Sequence, residues 1–98
     1  MKVLLTGGKG MLGRTICRVL GDRFEIVPSD LPEADITDEE CIDRVIADER
    51  PDAVIHCAAM TAVDKCEETV DFAYRLNARG TANVAAACNR RDVRLIAI

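Results

Sequence analysis

Four glycines and a lysine fall within eight consecutive positions, Thr6-Gly7-Gly8-Lys9-Gly10-Met11-Leu12-Gly13, and the acidic Asp30 follows Gly13 by seventeen residues (30 minus 13). A chain that turns sharply on glycine and at once begins a helix leaves backbone N–H groups unpaired at the positive end of the helix dipole, where they hold an anion. In the spacing G-x-x-G-x-x-G, Gly7 suits the positive φ of a tight turn, Gly10 lets a diphosphate approach the backbone, and Gly13 lets the helix pack close to the strands. A carboxylate at the position of Asp30 accepts hydrogen bonds from an adenosine ribose and repels a 2′-phosphate. Lys9 reads either as a solvated loop charge or as a cation that offsets such a phosphate. The chemistry expected is dinucleotide binding, with NAD slightly favoured and NADP tolerated.

These residues act only if a strand ends before Gly7 and a helix begins after Gly10. Val3-Leu4-Leu5 is an apolar run suited to a parallel strand buried on both faces. Leu12, Ile16, Val19 and Leu20 recur at helical spacing and predict a core-facing stripe, with Arg14 and Arg18 turned away and Gly21 as the stop. Phe24 to Val27 predicts a second strand closed by Pro28, and Ala34-Asp35-Ile36 a third, very brief one. Thr37 and Glu40 have the spacing of a capping box before a helix that Pro51 ends. Ala53 to Ala59 predicts a fourth strand, Cys66 to Arg90 a long helix with Val70, Ala73, Leu76, Val84 and Ala87 inward, and Val93 to Ile98 a fifth strand.

Strands alternating with helices predict an α/β chain with a doubly wound parallel Rossmann-type sheet, strand order 3-2-1-4-5, in three α/β/α layers. The cofactor would lie across the switch between the first and fourth strands.

The rest of the composition narrows the function. The 98 residues fit one domain, and the formal net charge of −4 with three aromatics argues against nucleic acid as a partner. Five scattered cysteines without a C-x-x-C pair argue against a disulfide framework or a metal site and predict reduced thiols in a cytoplasmic protein. No membrane segment is expected. His56, the single histidine, reads as a satisfied core or cleft-edge imidazole, and Lys65 beside Asp64, Glu67 and Glu68 as a solvated helix start. Gly80 costs a helix about 1 kcal/mol relative to alanine, so it predicts a close approach by the sheet or the cofactor. Asn77, one turn earlier, would face the same way.

The glycine spacing resembles that of the extended short-chain dehydrogenase/reductases that act on nucleotide sugars. Asp35-Ile36-Thr37-Asp38 is similar to their D-h-T-D segment, His56-Cys57-Ala58-Ala59 to the small-residue run after the fourth strand, and Asn77-Ala78-Arg79-Gly80-Thr81-Ala82-Asn83 to N-x-x-G-T-x-N. The stretch from Ala58 to Glu67 resembles the A-A-x-T-x-V-D-x-A-E of the dTDP-4-dehydrorhamnose reductase family.

The resemblance implies that Gly7, Gly10 and Gly13 cradle the diphosphate, that Met11 and Leu12 give backbone amides, and that Asp30 holds the ribose. It further implies that Asp35 and Ile36 border the adenine, that Ala58 and Ala59 lie beside the nicotinamide ribose, and that Asn77 belongs to the cofactor site. The implied reaction of the parent enzyme is hydride transfer from NAD(P)H to a 4-keto nucleotide sugar.

The Ser/Thr, Tyr and Lys that protonate the carbonyl in that family are expected past Ile98, and Tyr74 does not replace them because Ala78 stands where the lysine belongs. No catalytic residue is therefore assigned. Residues 1–98 are read as a truncated NAD(P)-binding domain without its substrate domain, inactive as a reductase by itself and prone to associate through an exposed edge strand. The alternatives are a non-catalytic dinucleotide-binding or interaction module, and a fragment of an epimerase or dehydratase.

Overall fold

The computed structural model describes residues 1–30, 34–57 and 70–98, and of 70–76 the backbone alone. Among the described residues four strands, β1 (Lys2–Thr6), β2 (Glu25–Ser29), β3 (Ala53–His56) and β4 (Arg94–Ala97), form one parallel sheet in the order β2-β1-β3-β4. Among the described residues three helices connect them: α1 (Met11–Leu20), α2 (Glu39–Glu49) and α3 (Val70–Arg90).

The chain steps from β1 to β2 in one direction, then crosses back past β1 to β3 and on to β4. Right-handed crossovers therefore put α1 on one face of the sheet and α2 and α3 on the other, which is the doubly wound arrangement. Alternation along the strands sends Leu4, Val54 and Leu95 to the α2/α3 face, where they pack with Ile42, Ile46, Val84 and Ala87. Full burial of side chains such as Leu4, Ile42 and Val54 stabilises the fold by about 1.5–3 kcal/mol each.

The expected third strand is absent. Ala34 donates its N–H to the Asp30 carbonyl and Asp38 donates to that of Asp35, so this backbone spends its hydrogen bonds on local turns. The observed order is the predicted 3-2-1-4-5 without its third member. This leaves β2 at an edge, which explains why the strand runs on through Pro28 to Ser29 instead of closing at the proline: an edge strand tolerates a missing donor.

The cap of α2 also differs from expectation. The Thr37 hydroxyl turns back to donate to Asp35 Oδ1 (2.7 Å), and Asp38 becomes the N-cap, accepting from the Cys41 amide (3.1 Å). Arg50, left-handed at φ 48°, caps the other end before Pro51.

The core-facing stripe of α1 is corrected as well. Gly13 is its buried residue, with Ile16, Cys17 and Leu20 half-buried at spacings of three, four and seven residues from it, while Leu12 (46% exposed) and Val19 (60%) project outward. The cause is Gly13 itself. A Cβ there would lie 2.4 Å from the Gly7 carbonyl oxygen and 2.8 Å from Gly8 Cα, so the helix is seated against the preceding turn at this residue, and that contact sets its rotation.

The predicted helix start at Cys66 and the Lys65 cluster lie outside the described residues. Val84 and Ala87 face inward as expected, both fully buried.

Candidate dinucleotide site

The site is built where the sheet reverses direction, at the carboxyl ends of β1 and β3. Gly7 follows β1 with φ 70°, a conformation that costs a side-chain-bearing residue about 1–2 kcal/mol, and its carbonyl accepts from the Gly10 amide (3.1 Å) to close the turn. Gly10 is the N-cap of α1, extended at φ −76° and ψ 173°, and no side chain caps the helix. The amides of Met11, Leu12 and Gly13 begin the helix next to the turn, the arrangement that receives a phosphate. Among the described residues a Cβ on Gly10 would meet only the Gly7 carbonyl oxygen, at 3.4 Å, so they leave the approach to this residue open.

Across the turn stands Asp30, just past β2. Its Oδ2 accepts from the Lys9 backbone amide at 3.2 Å, which links the two features that the sequence placed twenty-one residues apart. Lys9 and Asp30 line one cavity of about 510 Å³ together with Gly8, Arg14 and Ser29.

Three contributors escaped the sequence reading. Gly8 lies outside the G-x-x-G-x-x-G positions, yet a Cβ there would sit 2.5 Å from Pro28 Cβ and 3.1 Å from the Ser29 amide, and its own amide donates to the Ser29 carbonyl (3.1 Å). Only glycine lets the turn lie on β2. Arg14, read as facing away, reaches the cavity from the first turn of α1. The Ser29 hydroxyl oxygen is buried without a partner among the described residues. Four glycines within seven positions were the available signal for Gly8; the other two had none.

Below the turn, a chain of hydrogen bonds fixes the ends of β1 and β3. The Thr6 hydroxyl oxygen lies 2.7 Å from His56 Nδ1 and accepts from the Cys57 amide at 3.1 Å, while His56 Nε2 lies 3.1 Å from the Thr81 hydroxyl on α3. His56 is 3% exposed, so the satisfied core reading holds, and burial pushes its pKa below the ordinary value. Burial likewise pushes the Cys57 thiol up, away from the thiolate form.

Asp35 and Ile36 occupy the loop between β2 and α2. Asp35 Oδ1 accepts from both the amide (3.0 Å) and the hydroxyl of Thr37, so this carboxylate is already committed to shaping the loop. Gly80 is explained here: a Cβ would lie 2.5 Å from Ile36 Cδ1, so the close approach is by this loop. Asn77 lies half-buried on α3, one turn before Gly80. Ala58 and Ala59 lie outside the described residues.

A parallel sheet that reverses beside a glycine turn, with helices on both faces, defines the Rossmann-type class of α/β protein. Residues 1–98 match the family model described as the RmlD substrate binding domain, and the chain belongs to that family. It is 37% identical over 93 residues to dTDP-4-dehydrorhamnose reductase of Aggregatibacter actinomycetemcomitans, covering 93% of this chain and 32% of that protein.

Among solved structures, a dTDP-4-dehydrorhamnose reductase of Clostridium acetobutylicum is 44% identical with TM-score 0.86, over 97% of this chain and 34% of its own. That of Bacillus anthracis, in complex with NADP, is 38% identical with TM-score 0.86, over 96% and 34%. A Thermus thermophilus UDP-glucose 4-epimerase in complex with NAD is 29% identical with TM-score 0.86, over 97% and 36%. The chain thus spans about a third of the length of these relatives.

Proposed function

We propose that residues 1–98 are the NAD(P)-binding Rossmann domain of a nucleotide-sugar oxidoreductase of the dTDP-4-dehydrorhamnose reductase type, in which hydride passes from the nicotinamide to a 4-keto sugar nucleotide. The observation that carries this is the Gly7 turn opening onto the uncapped start of α1, with the Asp30 carboxylate held against that turn by the Lys9 amide. The amides of Met11 and Leu12 hold the diphosphate, and Asp30 the adenosine ribose. Asp35 and Ile36 border the adenine, Asn77 lies toward the cofactor from α3, and Ala58 and Ala59 lie beside the nicotinamide ribose. The B. anthracis relative, whose structure contains NADP, supports a nicotinamide dinucleotide as the ligand.

NAD is favoured and NADP accommodated. The Asp30 carboxylate opposes a 2′-phosphate; Lys9 and Arg14 bring two cations to the same cavity, and Asp48 and Glu49 bring two more carboxylates. The nucleotide sugar belongs to the whole protein, and catalysis is assigned to no residue of this stretch. The epimerase reading is kept because a UDP-glucose 4-epimerase aligns with TM-score 0.86, as the reductases do.

A reducing, cytoplasmic setting is supported by the thiols of Cys17, Cys57 and Cys88, which form no disulfide among the described residues. No helix among the described residues is long and apolar enough to cross a membrane.

Calorimetric titration of the chain with NAD⁺ tests the main reading. Weak, saturable binding that Gly7→Val abolishes is expected; wild-type chain that binds neither NAD⁺ nor NADP⁺ at any concentration would refute it.

A further inference from the structure

The described residues of the loop between β2 and α2 have no strand partner, yet the dinucleotide reading makes this loop the adenine wall. Bonds from Ala34 to Asp30, from Asp38 to Asp35 and from Thr37 to Asp35 give it shape, and Asp30 and Asp35 fasten its ends to the Lys9 amide and to Cys41 Sγ. A tie to another element comes from α3, where Asn83 Nδ2 donates to the Ile36 carbonyl at 2.9 Å across forty-seven residues.

Two features on one side of α3 meet this single residue. Gly80 and Asn83 are three apart and so share a helix face. The missing Cβ of Gly80 leaves room for the Ile36 side chain, and the Asn83 amide takes the Ile36 carbonyl. Between them Thr81 meets His56 Nε2 at 3.1 Å, so one turn of α3 grips both the loop and the end of β3. Glycine and asparagine are both poor residues for a helix interior, which makes this turn a local cost that the tertiary contacts offset.

We propose that Asn83 is a positioning residue for the cofactor: its side-chain amide holds the Ile36 carbonyl and so sets the distance between the adenine wall and the switch point of the sheet. The proposal rests on the dinucleotide reading above. Asn83→Asp is the direct probe, because it keeps the shape but replaces the donor with a carboxylate that faces a carbonyl oxygen. Asn89→Asp, the same change at an exposed position on the same helix, is the control.

The experiment measures dissociation constants of the chain for AMP and for nicotinamide mononucleotide, with amide hydrogen exchange at Ile36, Thr37 and Asp38. Asn83→Asp is expected to weaken AMP about tenfold, the scale of one lost hydrogen bond, while nicotinamide mononucleotide changes less than about twofold. The loop amides exchange faster and those of β1 do not, and Asn89→Asp matches wild type in every readout.

Equal weakening of both ligands would make Asn83 a general structural residue and overturn the proposal, as would unchanged AMP binding. Wild-type chain that binds no AMP would remove the dinucleotide reading itself, and the proposal with it. If Asn83→Asp does not fold, Asn83→Ala decides: it removes the donor without adding a charge, and alanine's helix propensity favours folding. AMP binding in Asn83→Ala is expected to weaken selectively, and an unchanged value overturns the proposal.

Discussion

The Thr6 hydroxyl and the His56 imidazole, fifty residues apart in the chain, lie 2.7 Å from each other under the glycine turn. The contact ties the end of β1 to the end of β3 at the point where the sheet reverses. It also keeps a titratable ring where its charged form is desolvated.

That desolvation makes stability depend on pH. Burial holds the His56 pKa below its ordinary 6.5, so as pH falls through 6.5 the unfolded chain takes up a proton that the folded chain refuses. Stability contributed by His56 is therefore complete above 6.5 and is lost progressively below it, down to the folded pKa. Urea midpoints measured from pH 7.5 to 5 are expected to fall in wild type and to fall less in His56→Asn; parallel curves would contradict this.

The glycines of the turn separate by what surrounds them. Gly13→Ala drives a Cβ into the backbone of Gly7 and Gly8 and is expected to destabilise by about 1–3 kcal/mol. Gly10→Ala meets one oxygen at 3.4 Å, so stability stays within about 0.5 kcal/mol while NAD⁺ affinity drops, because the methyl occupies the path of the diphosphate. Denaturation curves paired with calorimetry check both; a reversed order of the two stabilities would refute the assignment.

Asp30→Asn retains an oxygen for the Lys9 amide and removes the charge that opposes a 2′-phosphate. The ratio of NADP⁺ to NAD⁺ affinity is expected to rise severalfold in this variant. Arg14→Ala is expected to lower it, since Arg14 shares the cavity with Asp30. Paired titrations with the two dinucleotides measure the ratio, and no change in either variant would rule out this cavity as the ribose end.

On the other face, Asp43 joins α2 to the end of α3. Its carboxylate lies 3.0 Å from Arg91 and 3.2 Å from Arg90, and the Arg91 hydrogen bond is the leading reason that its pKa falls below the ordinary 3.8. A carboxylate depressed in the folded state lends stability that is present above 3.8 and is lost as pH drops below it. An NMR titration is expected to find the Asp43 midpoint below 3.8 in wild type and higher in Arg91→Ala; equal midpoints would show that the pair is not formed in solution.

Much of this was legible from local pattern. The apolar run before Gly7, the glycine spacing, the helical periodicity after it and the distance to Asp30 marked the strand-turn-helix unit because each is a property of neighbouring residues. His56 was read as a satisfied core group from its apolar strand, and the structure supplies the partners in Thr6 and Thr81. Gly80 was read as a close approach without its partner, since Ile36 is forty-four positions away (80 minus 36).

The misreadings share one cause, competition between a local signal and a partner that the signal does not encode. Thr37 matches a capping box, but its hydroxyl finds Asp35 first and leaves Asp38 to cap α2. Leu12 and Val19 fit an apolar stripe, but Gly13 seats the helix on the glycine turn and rotates them out. Ala34 to Ile36 has strand composition, but local turns satisfy its backbone before a neighbouring strand can.

By itself the sequence determined the alternation of strands and helices, the parallel sheet and the glycine turn between β1 and α1, because periodicity and glycine placement act over a few residues. Tertiary structure alone decided which face of α1 is covered, that Gly8 must lie on β2, and that Asn83 holds Ile36. Those depend on distances between atoms far apart in the chain, which packing sets and spacing along the chain does not.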